Sequence, residues 1–242
     1  MDEKGFLLGV HNRVKVIVRH RHRPPIEKMD GSREWITVVE CTCADNSMLP
    51  PLVIYKGKGL YPGWFTEVDD MNAKFAHSDK GYMTDKLAIE WLQAFDIATK
   101  ERSQGQPRFL LMDGHRTHYS PKMIRYAVEN NNIIMAYPRH STHLLQPLDV
   151  CLFSPLQHAY SKAVAEHLKK TRTGVTRALF RGFLPKRGQK HIQYQTSKHP
   201  GERWGLYHTI LTTFSISYQQ LQPLLLPLPH QIHPSIQKHL LH

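Results

Sequence analysis

Residues 107–118 read PRFLLMDGHRTH, and one helix-length further on residues 138–149 read PRHSTHLLQPLD. The first string is a short, continuously apolar run of the kind buried on both faces in a parallel sheet, and it ends in Asp113. Ser120-Pro121 supplies an N-cap and first position for a helix carrying Met123, Ile124, Ala127 and Val128, and IIMAYP at 133–138 is the next strand. This is a strand–helix–strand unit, and it sets the class as α/β. A second pair, Ser154-Pro155, opens a helix with Leu156, Tyr160, Ala163, Val164, His167 and Leu168 inward, which puts Asp149 just ahead of its first turn. Asp113 and Asp149 then converge near the carboxyl end of the sheet, where open α/β sheets place their sites.

Working outward, Thr84 caps a helix over 85–100 in which Leu87, Trp91, Ala94, Phe95 and Ala98 recur at helical spacing and face a sheet. EWITVVECTCA at 34–44 and LPPLVIYKG at 49–57 are β-rich runs separated by a turn, so they form a hairpin. Residues 10–23, VHNRVKVIVRHRHR, alternate basic and β-branched residues up to Pro24-Pro25. Lys15, Arg19, Arg21 and Arg23 on that strand form either a phosphate track or a solvated basic face.

The chain has 242 residues, and Lys and Arg outnumber Asp and Glu by 32 to 20, for a net charge of +12. That balance suits a polyanionic partner. The three cysteines, Cys41, Cys43 and Cys151, fit neither a disulfide framework nor a zinc ribbon, which points to a reducing compartment. There is no apolar run of membrane-spanning length and no signal-peptide pattern at the start.

Two carboxylates at the ends of such elements, joined by a third from elsewhere, are what two-metal phosphodiester chemistry requires. Spacing alone does not choose among the 20 acidic residues. The strings do. DGHRTH after an apolar strand, PRHSTHLLQPLDVCLFSPL before a long helix, MDEKGFLLG at 1–9 and SREWITVVECTCADNSMLPPLVIYKGK at 32–58 together resemble the DDE superfamily of cut-and-paste transposases, closest to the pogo-type branch of the mariner-like transposases. The resemblance implies an RNase-H-like mixed sheet flanked by helices, a catalytic and metal-binding triad of Asp2, Asp113 and Asp149, a pair of Mg²⁺ or Mn²⁺ ions, DNA as partner and a nuclear location. His115, His118, His140 and His143 flank the acids. In a family that uses magnesium they read as braces of the carboxylates or contacts to the scissile phosphate, rather than as zinc ligands. Gln146 and Pro147 shape the turn that aims Asp149, and Glu3 beside Asp2 is either an outer-shell ligand or a solvated acid.

The chain departs from that pattern at two places. In the family the first Asp ends a central strand that follows helix-turn-helix modules. Here Asp2 follows Met1 alone, so the first central strand reads as truncated, Asp2 is expected to fray, and activity is expected to be weak or absent. Any oligomer would form through regions not in this chain. After Pro185 the residues 186–242 hold one acidic residue, Glu202, eight glutamines and seven histidines, and no secondary-structure period. Their back-translation in a shifted frame permits strings that resemble the family's downstream sequence. The organisation expected is therefore a catalytic core over 1–185 and a disordered, out-of-frame tail over 186–242. Six basic residues of that tail against Glu202 contribute +5, leaving +7 of the +12 to the core. The alternatives are a non-enzymatic DNA-binding protein derived from a transposase and a decayed element whose product does not fold.

Overall fold

Strand β1 (Asp2–Leu7) pairs antiparallel with strand β2 (Trp35–Glu40), with Asp2 opposite Glu40 and Leu7 opposite Trp35. The computed structural model describes residues 1–9, 34–44, 47–65, 72–114, 119–138 and 141–184. The expected basic strand over 10–23 and the tail after residue 184 lie outside them. Strand β3 (Leu52–Lys56) completes the expected hairpin by pairing antiparallel with β2, and β4 (Lys74–Ser78) adds to it in parallel. A separate parallel pair is formed by β5 (Arg108–Met112) and β6 (Asn132–Ala136). The two sheets meet where the amino group of Met1 donates to the carbonyl of Leu111 at 2.8 Å.

β-Branched and aromatic residues run without interruption through β2 and β3 because both faces of this sheet are covered. On one face Val39, Leu52 and Ile54 pack with helix α1 (Asp85–Lys100), with Leu110 and Met112 of β5, and with Met123 and Ala127 of α2 (Pro121–Glu129). On the other, Phe6, Ile36, Val38, Val53 and Tyr55 pack with helices α4 (Phe153–Thr171) and α5 (Arg177–Phe183). The result is three layers with two cores. Rings fill the second core edge to face: Phe6 lies 5.1 Å from Tyr160 and 6.0 Å from Phe180. The hydroxyl of Tyr160 donates to the Leu7 carbonyl at 2.9 Å, and burial raises the phenol's pKa.

Thr84 caps α1 as expected, accepting from the Leu87 amide at 3.3 Å. Thr84→Ala is expected to lower stability by about 1 kcal/mol, read as a shift in the denaturation midpoint. The buried face is wider than the stripe read from the sequence: Ala88, Leu92, Asp96 and Thr99 are buried with Leu87, Trp91 and Phe95, whereas Ala98 is exposed. In α2 the inward face is Met123 and Ala127. Ile124 and Val128 lie one residue round the helix and are exposed, contrary to expectation.

Ser154-Pro155 does not open a helix. A short helix α3 (Thr142–Leu145) leads into a π-helical turn over Leu148–Leu152, and α4 follows from Phe153 without a break. Pro155 has no amide to give to the carbonyl four residues back, and the chain widens just ahead of it. Asp149 thus sits within the first turn of a continuous helical segment rather than before it.

Candidate functional site

Asp2, Asp113 and Asp149 come from three different elements: the start of β1, the residue after β5 and the π-helical turn. They are near enough to feel one another. Asp2 is raised to about 7, chiefly by burial, with the Glu3 amide lowering it, the charges of Asp149 and Asp113 raising it further, and the amino terminus lowering it. Asp149 is also raised, first by burial, with Lys4 pulling it down and Asp113 pushing it up.

The structure corrects the expected fraying of Asp2. The residue is only 8 % exposed, it is paired across from Glu40, and its Oδ1 accepts the Glu3 amide at 2.7 Å. The Met1–Leu111 bond then ties β1 to the strand that carries Asp113. Asp113 is half-buried, and its carbonyl accepts the Tyr119 hydroxyl at 3.2 Å. The charge of Asp113 adds to burial in raising the Tyr119 phenol's pKa.

Gln146 is 2 % exposed, and its Oε1 is a buried acceptor without a partner among the described residues. Its carbonyl accepts the Val150 amide at 3.0 Å and so starts the turn that holds Asp149. His143 is exposed on α3, while His115, His118 and His140 lie outside the described residues, as do Lys15, Arg19, Arg21 and Arg23.

Lys4 was not legible as a site residue. It lies two positions from Asp2, hence on the same face of β1, with its ammonium 5.7 Å from the Phe153 ring centroid and its charge acting on Asp149. A lysine in a strand of unknown partners carries no such signal.

Among the described residues no three His, Cys, Asp or Glu side chains are already gathered as a metal-binding group. The donor set nevertheless fits a hard divalent ion in kind: three carboxylates, two of them held above their ordinary range by burial and mutual repulsion, which a cation relieves. One consequence concerns the metal-free protein. A carboxyl whose folded pKa lies above its unfolded value adds stability that is fully present below about pH 4 and is lost as pH rises towards 7. Asp2→Asn is therefore expected to raise the melting temperature at pH 8 in EDTA, with the gain shrinking towards pH 4. A melting series across that range checks it.

The family described as DDE superfamily endonuclease matches residues 32–191. A human pogo transposable element with ZNF domain is 26% identical over 152 residues, which are 62% of this chain and 10% of that protein. A mouse pogo transposable element with KRAB domain is 30% identical over 160 residues, 64% of this chain and 25% of the relative. A protein of Cochliobolus lunatus named as the MFS-type transporter clz9 is 35% identical over 164 residues, 67% of this chain but 18% of that protein. No helix among the described residues is long and apolar enough to cross a membrane. The chain thus spans between a tenth and a quarter of the length of these curated relatives. No solved structure matches it. With the family matched over residues 32–191 and pogo transposable elements among the relatives, the chain belongs to the DDE superfamily endonucleases, as a pogo-type, transposase-derived protein.

Proposed function

We propose that this chain is a nuclease core that hydrolyses DNA phosphodiesters with Mg²⁺ or Mn²⁺, and that in its ancestor the freed 3′-hydroxyl was then transferred to target DNA. The observation that carries the reading is that the Met1–Leu111 bond holds the buried Asp2 of β1 against the strand that ends just before Asp113. Those three carboxylates would hold the ions, which when bound supply Lewis acidity and an activated attacking oxygen. The chain's own part is placement. The Glu3 amide fixes one oxygen of Asp2, the helical turn begun by Gln146 holds Asp149, and Lys4 supplies a positive charge beside the acids. The expectation of weak activity rested on departures at both ends of the chain, and a buried, strand-held Asp2 answers only the part that concerned its fraying.

The net charge supports DNA as the substrate, with affinity that falls as salt rises. We place the action in the nucleus, where such a substrate is found. We also retain a core over 1–185 and an out-of-frame segment over 186–242; the family match ends at residue 191, within six residues of that boundary. Sequencing the locus tests the boundary: a shifted frame that meets stop codons across this stretch refutes it.

The purified chain is expected to convert supercoiled plasmid to nicked circles with Mn²⁺ or Mg²⁺ and to leave it intact in EDTA. Folded protein that retards DNA in EDTA and nicks with neither metal would instead be a transposase-derived binding protein.

A further inference from the structure

At the end of the β1–β2 ladder remote from Asp2, the structure forms an open groove of about 620 Å³, lined by Glu34, Trp35, Lys56, Lys80, Tyr82 and Arg177 among others. The register places it: Asp2 faces Glu40 at one end of the ladder, and Leu7 faces Trp35 at the other. At roughly 3.3 Å per strand residue the two sites lie about 17 Å apart.

Two aromatic rings in this groove are left open, Trp35 at 44% and Tyr82 at 52% exposure. Trp35 is seated rather than merely exposed. A Cβ at Gly5 would stand 3.1 Å from Cε3 of the indole, so the bare backbone of β1 lets one part of the ring lie against the strand. The floor is equally close-fitting. Gly81, at φ +77°, approaches so tightly that a Cβ would meet the Trp35 carbonyl at 3.2 Å and Lys56 Cβ at 3.1 Å, and Thr37 donates to the Gly81 carbonyl at 2.7 Å.

The charges are sorted as well. Arg177 is committed, 2.5 Å from Glu34 and stacked 4.7 Å over the Trp64 ring. Lys56 and Lys80 line the groove together with Asp79, the second of its two acids. The chain leaves the sheet at this end and returns to it at Glu34, whose carbonyl accepts the Leu8 amide at 3.0 Å.

Half-exposed rings beside lysines match one ligand chemistry better than others. Unpaired nucleobases stack on the rings while the neighbouring phosphates meet the ammonium groups. Bases inside an intact duplex have no free face to offer. We infer that this groove binds a single-stranded DNA segment, unpaired nucleotides lying about 17 Å from the carboxylate site. The inference rests on DNA being the substrate of the carboxylate site, and it names a second contact on that substrate.

The test is fluorescence anisotropy of the full chain with a labelled oligothymidine in EDTA, beside a blunt duplex of equal length. The single strand is expected to bind more tightly than the duplex. Trp35→Ala should weaken single-strand binding roughly tenfold, and Trp35→Phe, which keeps a stacking face, should stay within about threefold of wild type. Lys56→Gln with Lys80→Gln should reduce the salt slope by roughly 1.4, as two lost phosphate contacts require. Trp35→Ala binding as tightly as wild type overturns the inference, and so does equal, equally Trp35-dependent binding of duplex. Should Trp35→Ala fail to melt cooperatively, the Phe variant and the lysine pair carry the test, and an unchanged salt slope then overturns it. Failure here is separable from failure of the nuclease reading. Nicking that survives with Trp35-independent binding sinks only the groove, whereas Trp35-dependent binding without any nicking sinks only the nuclease.

Discussion

Replacing Asp113 with alanine is expected to cut metal-dependent nicking by at least about a thousandfold while leaving a cooperative melt. The side chain stands just past the end of β5, half-buried, so little packing is lost with it. What is lost is one of three carboxylates that act on each other's charge. Charge stabilisation at such a site is worth several kcal/mol, and about 4 kcal/mol corresponds to a factor of roughly a thousand in rate. The comparison variant is Tyr119→Phe, which removes only the hydroxyl that donates to the Asp113 carbonyl and should reduce nicking far less. Plasmid nicking by matched preparations of the three proteins decides the matter. Equal activity in Asp113→Ala would mean that the cleavage, or the assignment of Asp113, belongs elsewhere.

Arg108→Ala is expected to be the most damaging single change to the fold, at about 3–5 kcal/mol, because it leaves an ion buried without its partner. The guanidinium lies 2.6 Å from Asp96, and both side chains are almost wholly buried. It also donates to the Asp96 carbonyl, to Thr99 Oγ1 and to the Asn130 carbonyl, while Asn132 donates to Asp96 Oδ1 at 3.2 Å. The guanidinium therefore joins β5 to α1 and to the C-cap of α2, and Asp96 carries the network on to the start of β6. Urea denaturation should show the midpoint falling by more than about 1 M at unchanged slope. The combined change Arg108→Met, Asp96→Leu should recover most of the loss, since it removes both charges at once. A single Arg108→Ala variant as stable as wild type would show that the network carries no net stability.

The hairpin and the strand–helix–strand unit could be read directly, because Trp35–Glu40 and Leu52–Lys56 are β-rich runs, Arg108–Met112 is a bounded apolar run, though buried only on its Leu110 and Met112 face, and Thr84 and Ser120 cap where their side chains say they should. Strand β4 was not read. KFAHS is a half-exposed edge strand with no period of its own, and only its parallel register with β3 makes it a strand. Ser154-Pro155 misled for the opposite reason: the local signature of a helix start was overridden by a helical segment already begun at Leu148. The three acids could be named from their strings. The burial of Asp2 could not, since it depends on a carbonyl 110 residues away. The groove at Trp35 was hidden in the same way, because Gly5 and Gly81 acquire their meaning only when the strands bring them beside the indole and Lys56.

The three layers place Asp2 on the central sheet, Asp113 with the core on one side and Asp149 at the head of the helix that closes the other. No single layer owns the site. Its completeness is therefore a coincidence signal, present only while both cores are docked on the sheet at once. A divalent ion that binds the assembled carboxylates favours the docked state by mass action. By the same linkage, loosening either core, even by a substitution far from the acids, registers first as weaker ion affinity. If the proposed carboxylates hold an ion, its titration would report damage to the architecture before unfolding does.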